Sequence, residues 1–541
     1  MPRTGRVTDA GWPFASESWW AMSPVPSSSL KRLAKAAAFV AVVGVVLANA
    51  LLSQSTAARL GGPASPTELD RWFDDEMRDA GIPGAAMVVV RDGAVIDTHV
   101  YGVADDHSRP ITSSTPFLIG SLTKSITALA VMQLVEAGRL SLDTPVGELL
   151  PDHPVAGPAA AAEITVRDLL DQTSGLSTAT GLRPLSTPVS SLEQRVDDLA
   201  TATLLSPPGT QFHYSNANYL VLGRIVESVT GELYGEYLKT HIFGPLGMAQ
   251  ATTDVDEATA DGLTSAHRLW FGQAPSNKPL FRADMVPAGW VAASADDMGR
   301  YLLAQLGDVP VGVSTGSLDT MHAGTAPTGL PDQRYGFGWF DGKLGAERIV
   351  SHSGSTTDMA SMAVFVPSEG LGVVILMNGT STLYETLHKP DSIGLAATAL
   401  LLGQDPPGTL RLFYPGFIVL SLVAVALIVR GLWRFARSQR ASRSAAPAVE
   451  RAVRHSRHIR RAYRAYIDLA VPAAILLFVP AYFGTDWSVM ARIDLGEVLL
   501  AIAGLRVLDG LLRLRGWYVT RSQAATVSPV APTGLGEAPA S

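Results

Sequence analysis

Hydrophobic positions fall into three regimes along the chain. The first is short and strand-like. Apolar runs over 85–90 and 94–100 flank Arg91-Asp92-Gly93, and β-branched runs about an Asp-Gly turn predict a hairpin. Four more such runs, 336–340, 348–352, 360–366 and 372–377, follow one another closely with Gly, Asp, Ser and Pro between them. Short turns of that kind predict antiparallel pairing. The second regime is helical. A helix is expected over 68–80, and 125–137 carries apolar side chains on nearly every helical face before it stops at Gly138. A helix that is apolar all round belongs inside a large core. From about 125 to 305 the chain reads as mostly helical, with Pro/Gly loops and a helix over 219–229. Strands at both ends with helices between predict an α/β (α+β) domain. Its single antiparallel sheet is made by both ends, and the helices form an insertion.

The third regime is long and continuous. The stretches 36–52, 412–429 and 467–483 approach or reach the length that crosses a bilayer, and 495–512 is a poorer fourth because it holds Glu497, Arg506 and Asp509. The first follows Lys31, Arg32 and Lys35 and ends in Ala48-Asn49-Ala50, so both a signal peptide and a signal anchor fit, with Met1 or Met22 as the start. Three parts result: 1–60, a disordered N-terminus and leader; 61–402, a globular domain; and 403–541, a membrane region of two to three helices. Charge sharpens the division. Residues 61–402 carry 19 basic and 39 acidic side chains, whereas 403–541 carry 17 basic and 8 acidic. Eleven arginines lie in 430–464, between two apolar spans. The positive-inside rule puts that loop in the cytoplasm and the acidic domain outside it. Basic charge beside apolar spans, and not on the globular part, argues for a membrane and against a nucleic-acid partner. The chain has no cysteine, and its eleven histidines show no ligand spacing, so neither a metal nor another cofactor is expected.

Candidate chemistry begins at Ser121-Leu122-Thr123-Lys124, at the head of the buried helix. Residues three apart share a helix face, and a helix N-terminus offers free N–H groups. A lysine buried there loses affinity for its proton and can take one from a hydroxyl. The tetrad alone decides nothing, since Ser28-Ser29-Leu30-Lys31 repeats it in the leader. Two other stretches offer what an activated serine needs. Tyr214-Ser215-Asn216 reads as a loop before a helix, with Tyr214 able to handle a proton beside a cation and Asn216 able to hold a substrate amide. His352-Ser353-Gly354-Ser355 ends a strand, where an edge presents backbone N–H groups and glycine allows close approach.

In order and rough spacing these three motifs resemble the serine β-lactamase-related, penicillin-recognising hydrolases. The likeness is strongest to the class C β-lactamase and D-aminopeptidase/esterase branch. Ile82-Pro83-Gly84-Ala85, Leu169-Leu170-Asp171-Gln172-Thr173-Ser174-Gly175-Leu176 and the run from Gly370 to Asn378 look similar too, so the resemblance covers about 66–400. It implies the β-lactamase/transpeptidase-like fold and a set of roles. Ser121 would form an acyl-enzyme, and Lys124 and Tyr214 would share the proton work. Asn216, His352, Ser353 and Gly354 would bind substrate, and the N–H groups of Ser121 and Ser355 would form an oxyanion hole. His352 stands where many β-lactamases carry a lysine. A mostly neutral histidine is a poorer partner for a substrate carboxylate, which argues against efficient β-lactam hydrolysis. The expectation is a membrane-tethered serine hydrolase facing outward. Its substrates would be D-amino-acid peptides or cell-wall fragments first, esters second and β-lactams third. A sensor or scaffold that is acylated without turnover is the alternative of a different class.

Overall fold

The computed structural model describes residues 62–182, 191–269, 274–380 and 390–406. The apolar stretches of the leader and the C-terminal region, with the arginine loop, lie outside these residues. Among the described residues no helix is long and apolar enough to cross a membrane.

Helix α1 (Pro66–Ala80) starts at Ser65, whose backbone and side chain both bond the Glu68 carboxylate, with Pro66 at its first position. It buries Leu69, Phe73 and Met77, one residue per turn on one stripe. Strands β1 (Gly84–Arg91) and β2 (Ala94–Gly102) form the expected hairpin. Asp92 and Gly93 both have positive φ there, which a two-residue hairpin turn demands. Six more strands complete the sheet: β3 (Ala326–Pro327), β4 (Arg334–Tyr335), β5 (Phe340–Leu344), β6 (Glu347–Ser355), β7 (Ala360–Val366) and β8 (Leu371–Met377). Their order is β2-β1-β8-β7-β6-β5-β4-β3, antiparallel throughout. The β1–β8 pairing, from Ala85 opposite Met377 to Arg91 opposite Leu371, joins the two ends of the domain.

One predicted strand is misplaced. The run 336–340 is not a strand: β4 ends at Tyr335 and β5 begins at Phe340. Between them the chain turns inward, burying Phe337 and Trp339. Those aromatics read as strand residues in sequence, but they are buried by a turn seated on the central helix.

That helix is α2 (Thr123–Glu136), with eleven of its 14 residues buried, as its all-round apolarity predicts. It packs against α3 (Asn216–Thr230) and the short turn Val286–Gly289, while α4 (Ala295–Gln305) covers β1 and β8 from the same side. On the opposite face, α1 and α5 (Pro390–Leu401) pack against the sheet. Asn378, part of a glycosylation-like Asn-Gly-Thr, is fully buried. It accepts from the Gly84 N–H and donates to the Val103 carbonyl and Thr264 Oγ, tying the end of β8 to the start of β1.

Candidate active site

Ser121 lies in a single 3-10 turn, Gly120–Leu122, that leads into α2 at Thr123. Two strips of backbone hold the turn. Phe117 and Leu118 pair with Ala293 and Ala292, and the Ile119 N–H donates to Val291 O. On the other side Gly120 (φ +53) presses on the end of β6, where a Cβ would lie 2.4 Å from the Ser355 nitrogen. Gly354 is equally constrained, because its Cβ would meet the Ile119 carbonyl oxygen at 2.0 Å. The close approach therefore requires glycine on both chains. It brings the backbone beside Ser121 against the backbone of Ser355.

Lys124 is wholly buried behind the half-buried Ser121. Its Nζ lies 3.0 Å from Ser121 Oγ, 2.8 Å from Asn216 Oδ1 and 2.6 Å from the Ala288 carbonyl oxygen. The rings of Tyr214 and Tyr219 flank it at 5.0 and 5.7 Å. Burial drives its pKa well below the usual lysine value. A neutral amine has two N–H groups and one lone pair. Asn216 Oδ1 and the Ala288 carbonyl can only accept, so they take the two N–H groups. Ser121 is the one partner of the three that can donate. The lone pair is thus left for the Ser121 proton.

Tyr214 carries its ring against Lys124, with its phenol beside Ser121. Burial pushes the phenol pKa up, and the Ser121 contact only partly opposes it. Burial thus disfavours the charged form of both groups, the ammonium and the phenolate. Tyr214 does lie beside Lys124, but that surrounding does not favour an ammonium–phenolate pair. Asn216 does not project from a loop either. It is the first residue of α3, with Ser215 at the N-cap.

His352 lies 2 % exposed among Tyr214, Tyr335 and Phe340. Its Nδ1 is 2.6 Å from the Ser353 carbonyl oxygen and its Nε2 3.4 Å from the Tyr335 hydroxyl. Burial above all pushes its pKa down to about 3. It is a neutral imidazole that donates from Nδ1. Strand alternation turns Ser353 the other way. Its cross-strand partner is Met362, on the sheet face covered by α1 and α5, so its side chain is not brought to Ser121. Ser121, Lys124, Tyr214, Asn216, His352, Gly354 and Ser355 do come together.

Sequence reasoning missed two participants. The Ala288 carbonyl is a backbone group and leaves no trace in residue identity. Gln172 accepts from the backbone N–H groups of His213 and Ser215, on either side of Tyr214, and carries no chemistry that marks it in the sequence. Among the described residues no group of three or more His, Asp or Glu is placed to hold a metal ion. An open cleft of 680 Å³ lined by Glu193, Arg224, Glu227 and Tyr234 includes none of the residues gathered at Ser121.

A protein-family profile described as Beta-lactamase matches residues 69–398. The chain belongs to this family. Its relatives include protein flp of Staphylococcus aureus strain MW2, 28 % identical over 321 residues, which are 58 % of this chain and 63 % of flp. The match thus spans less than two thirds of that relative. Penicillin-binding protein 4 of Amycolatopsis lactamdurans is 32 % identical over 333 residues, 57 % of this chain and 84 % of its own. Among solved structures, the octameric penicillin-binding protein homologue from Pyrococcus abyssi is similar with a TM-score of 0.58 at 28 % identity, covering 66 % of this chain and 82 % of its own. The Beta-lactamase family with this fold comprises serine hydrolases, the class to which the three motifs pointed.

Proposed function

We propose that this protein hydrolyses an amide or ester through an acyl-enzyme on Ser121. The carrying observation is the place of Lys124 Nζ, wholly buried 3.0 Å from Ser121 Oγ, with its two other polar contacts to oxygens that only accept. Lys124 takes the proton as Ser121 Oγ attacks the carbonyl carbon. The C–O bond forms, and the carbonyl oxygen becomes an oxyanion facing the Ser121 and Ser355 N–H groups. Tyr214 relays the proton to the departing amine or alcohol, since its phenol lies beside Ser121 and its ring lies on Lys124. Water then cleaves the ester with the same groups reversed. Asn216 and the backbone of β6 at Ser353–Ser355 hold the substrate.

Substrate preference follows from His352. Neutral and buried, it offers a carboxylate no permanent cation. This favours D-amino-acid amides, cell-wall peptides and esters over β-lactams. The membrane tether and outward orientation rest on the apolar stretches and the arginine loop of the sequence. Chromogenic D-amino-acid amides, short-chain esters and a cephalosporin, compared by kcat/KM, test the reading. Turnover of amide or ester above the cephalosporin is expected. A stable adduct with no turnover of any of them would replace hydrolysis with the sensor or scaffold reading.

A further inference from the structure

Five described non-glycine residues have positive φ, and Gln172 (φ +62) alone of them is buried. Such backbone persists only where the surroundings hold it. What Gln172 holds in turn is the segment carrying Tyr214 and Asn216. Its carbonyl accepts from the His213 N–H at 2.8 Å, and its Oε1 accepts from the Ser215 N–H at 2.9 Å and from Asn218 Nδ2 at 2.5 Å. Asn218 is fixed from its other end by Ser174 Oγ, 2.5 Å from its Oδ1. The anchors fall at 213, 215 and 218, and the groups that meet Ser121 and Lys124 fall between them, at 214 and 216. The left-handed turn makes this possible, because it lets carbonyl and side chain of one residue address the same segment.

We propose that Gln172 is a positioning residue that sets Tyr214 and Asn216 against Lys124. It acts on rate through those two side chains and touches no substrate. The rate part rests on the acyl-enzyme reading above; the anchoring part does not.

Two variants separate positioning from folding. Gln172→Gly suits the positive φ and keeps the carbonyl bond to His213, but lacks Oε1. Gln172→Glu keeps an acceptor for Ser215 and Asn218. With a fluorophosphonate probe, Gln172→Gly is expected to lower the maximal acylation rate roughly 10–100-fold. Its half-saturating probe concentration should change little, and its thermal midpoint should fall by no more than the loss of two buried hydrogen bonds explains. Gln172→Glu should recover most of the rate. Hydrogen exchange of peptides spanning 213–218 should speed up in the glycine variant and not in the glutamate variant. Wild-type rate in Gln172→Gly, unchanged protection of 213–218, or a loss of rate that Glu does not restore would each overturn the proposal. An inert wild type would defeat the acyl-enzyme reading instead, and the exchange comparison would still decide the anchor.

Discussion

The two faces of the sheet are packed by different rules. Against α1 and α5 the contacts are mostly hydrocarbon and aromatic, Leu69, Phe73, Met77, Met87, Val89, Met362, Val364 and Ile375 among them, with His99 of β2 bonding Asp74 of α1 at the edge. Against α2 and α3 the same sheet faces buried polar groups, Lys124, Gln172, Asn218 and His352 among them. Burying an amine or imidazole costs stability unless it is bonded and neutral. The polar groups are therefore knitted together, with Lys124 in three contacts and Gln172 in three. Both faces bury apolar side chains that hold the domain together, and the α2–α3 side also encloses Lys124 beside a hydroxyl.

Substitutions should separate the two. Lys124→Met keeps the apolar stem and removes the amine. Turnover should fall at least ~10³-fold, while the urea midpoint holds or rises. A variant that keeps substantial turnover would show that the lone pair is not the base. Phe73→Ala on the opposite face should do the reverse. It should cost about 3–5 kcal/mol of stability and leave kcat/KM of the folded protein unchanged. A matching loss of kcat/KM would show that the faces are not independent.

Acid should find the polar face next. His322 and His352 both have pKa values lowered from 6.5 to about 3 by burial. Between those limits the unfolded chain binds protons that the fold does not, so stability falls as pH falls. Each histidine contributes about 1.4 kcal/mol per pH unit. Asp171, raised by burial to about 6, works oppositely, since its protonated form is favoured in the fold and stability drops as pH rises from 3.8 to about 6. Between pH 6 and 4 these three groups together leave one histidine's worth of slope. His352→Gln should flatten it, as read from urea melts at pH 6.5, 5.5 and 4.5. Parallel curves would mean that His352 is not buried neutral. The smallest effect belongs to the exposed Arg78–Asp75 pair on α1. Arg78→Ala should leave the urea midpoint unchanged within the error of a melt. A larger loss would mean that α1 depends on more than its apolar stripe.

Periodicity made much of the fold legible. The hairpin about Asp92-Gly93, the buried helix after Ser121 and the closure of the sheet by both ends all follow from spacing of apolar residues and turns. It failed at 336–340, where buried aromatics in a turn imitate a strand. The site was legible as three motifs, because Ser121, Lys124, Tyr214, Asn216 and His352 are side chains with chemistry. Direction was not legible. Nothing in the sequence says that Ser353 faces Met362, or that His352 bonds a neighbouring carbonyl, until the register of β6 is known. Backbone participants, such as the Ala288 carbonyl, carry no residue signature at all.

The account stands on a serine made nucleophilic by a neutral lysine. Intact mass after exposure to a fluorophosphonate probe near neutral pH tests this most directly, for wild type, Ser121→Ala and Lys124→Met. A single adduct is predicted on wild type, none on Ser121→Ala, and adduct formation slowed by orders of magnitude on Lys124→Met. No adduct on folded wild type, or an adduct that survives Ser121→Ala, would contradict the account.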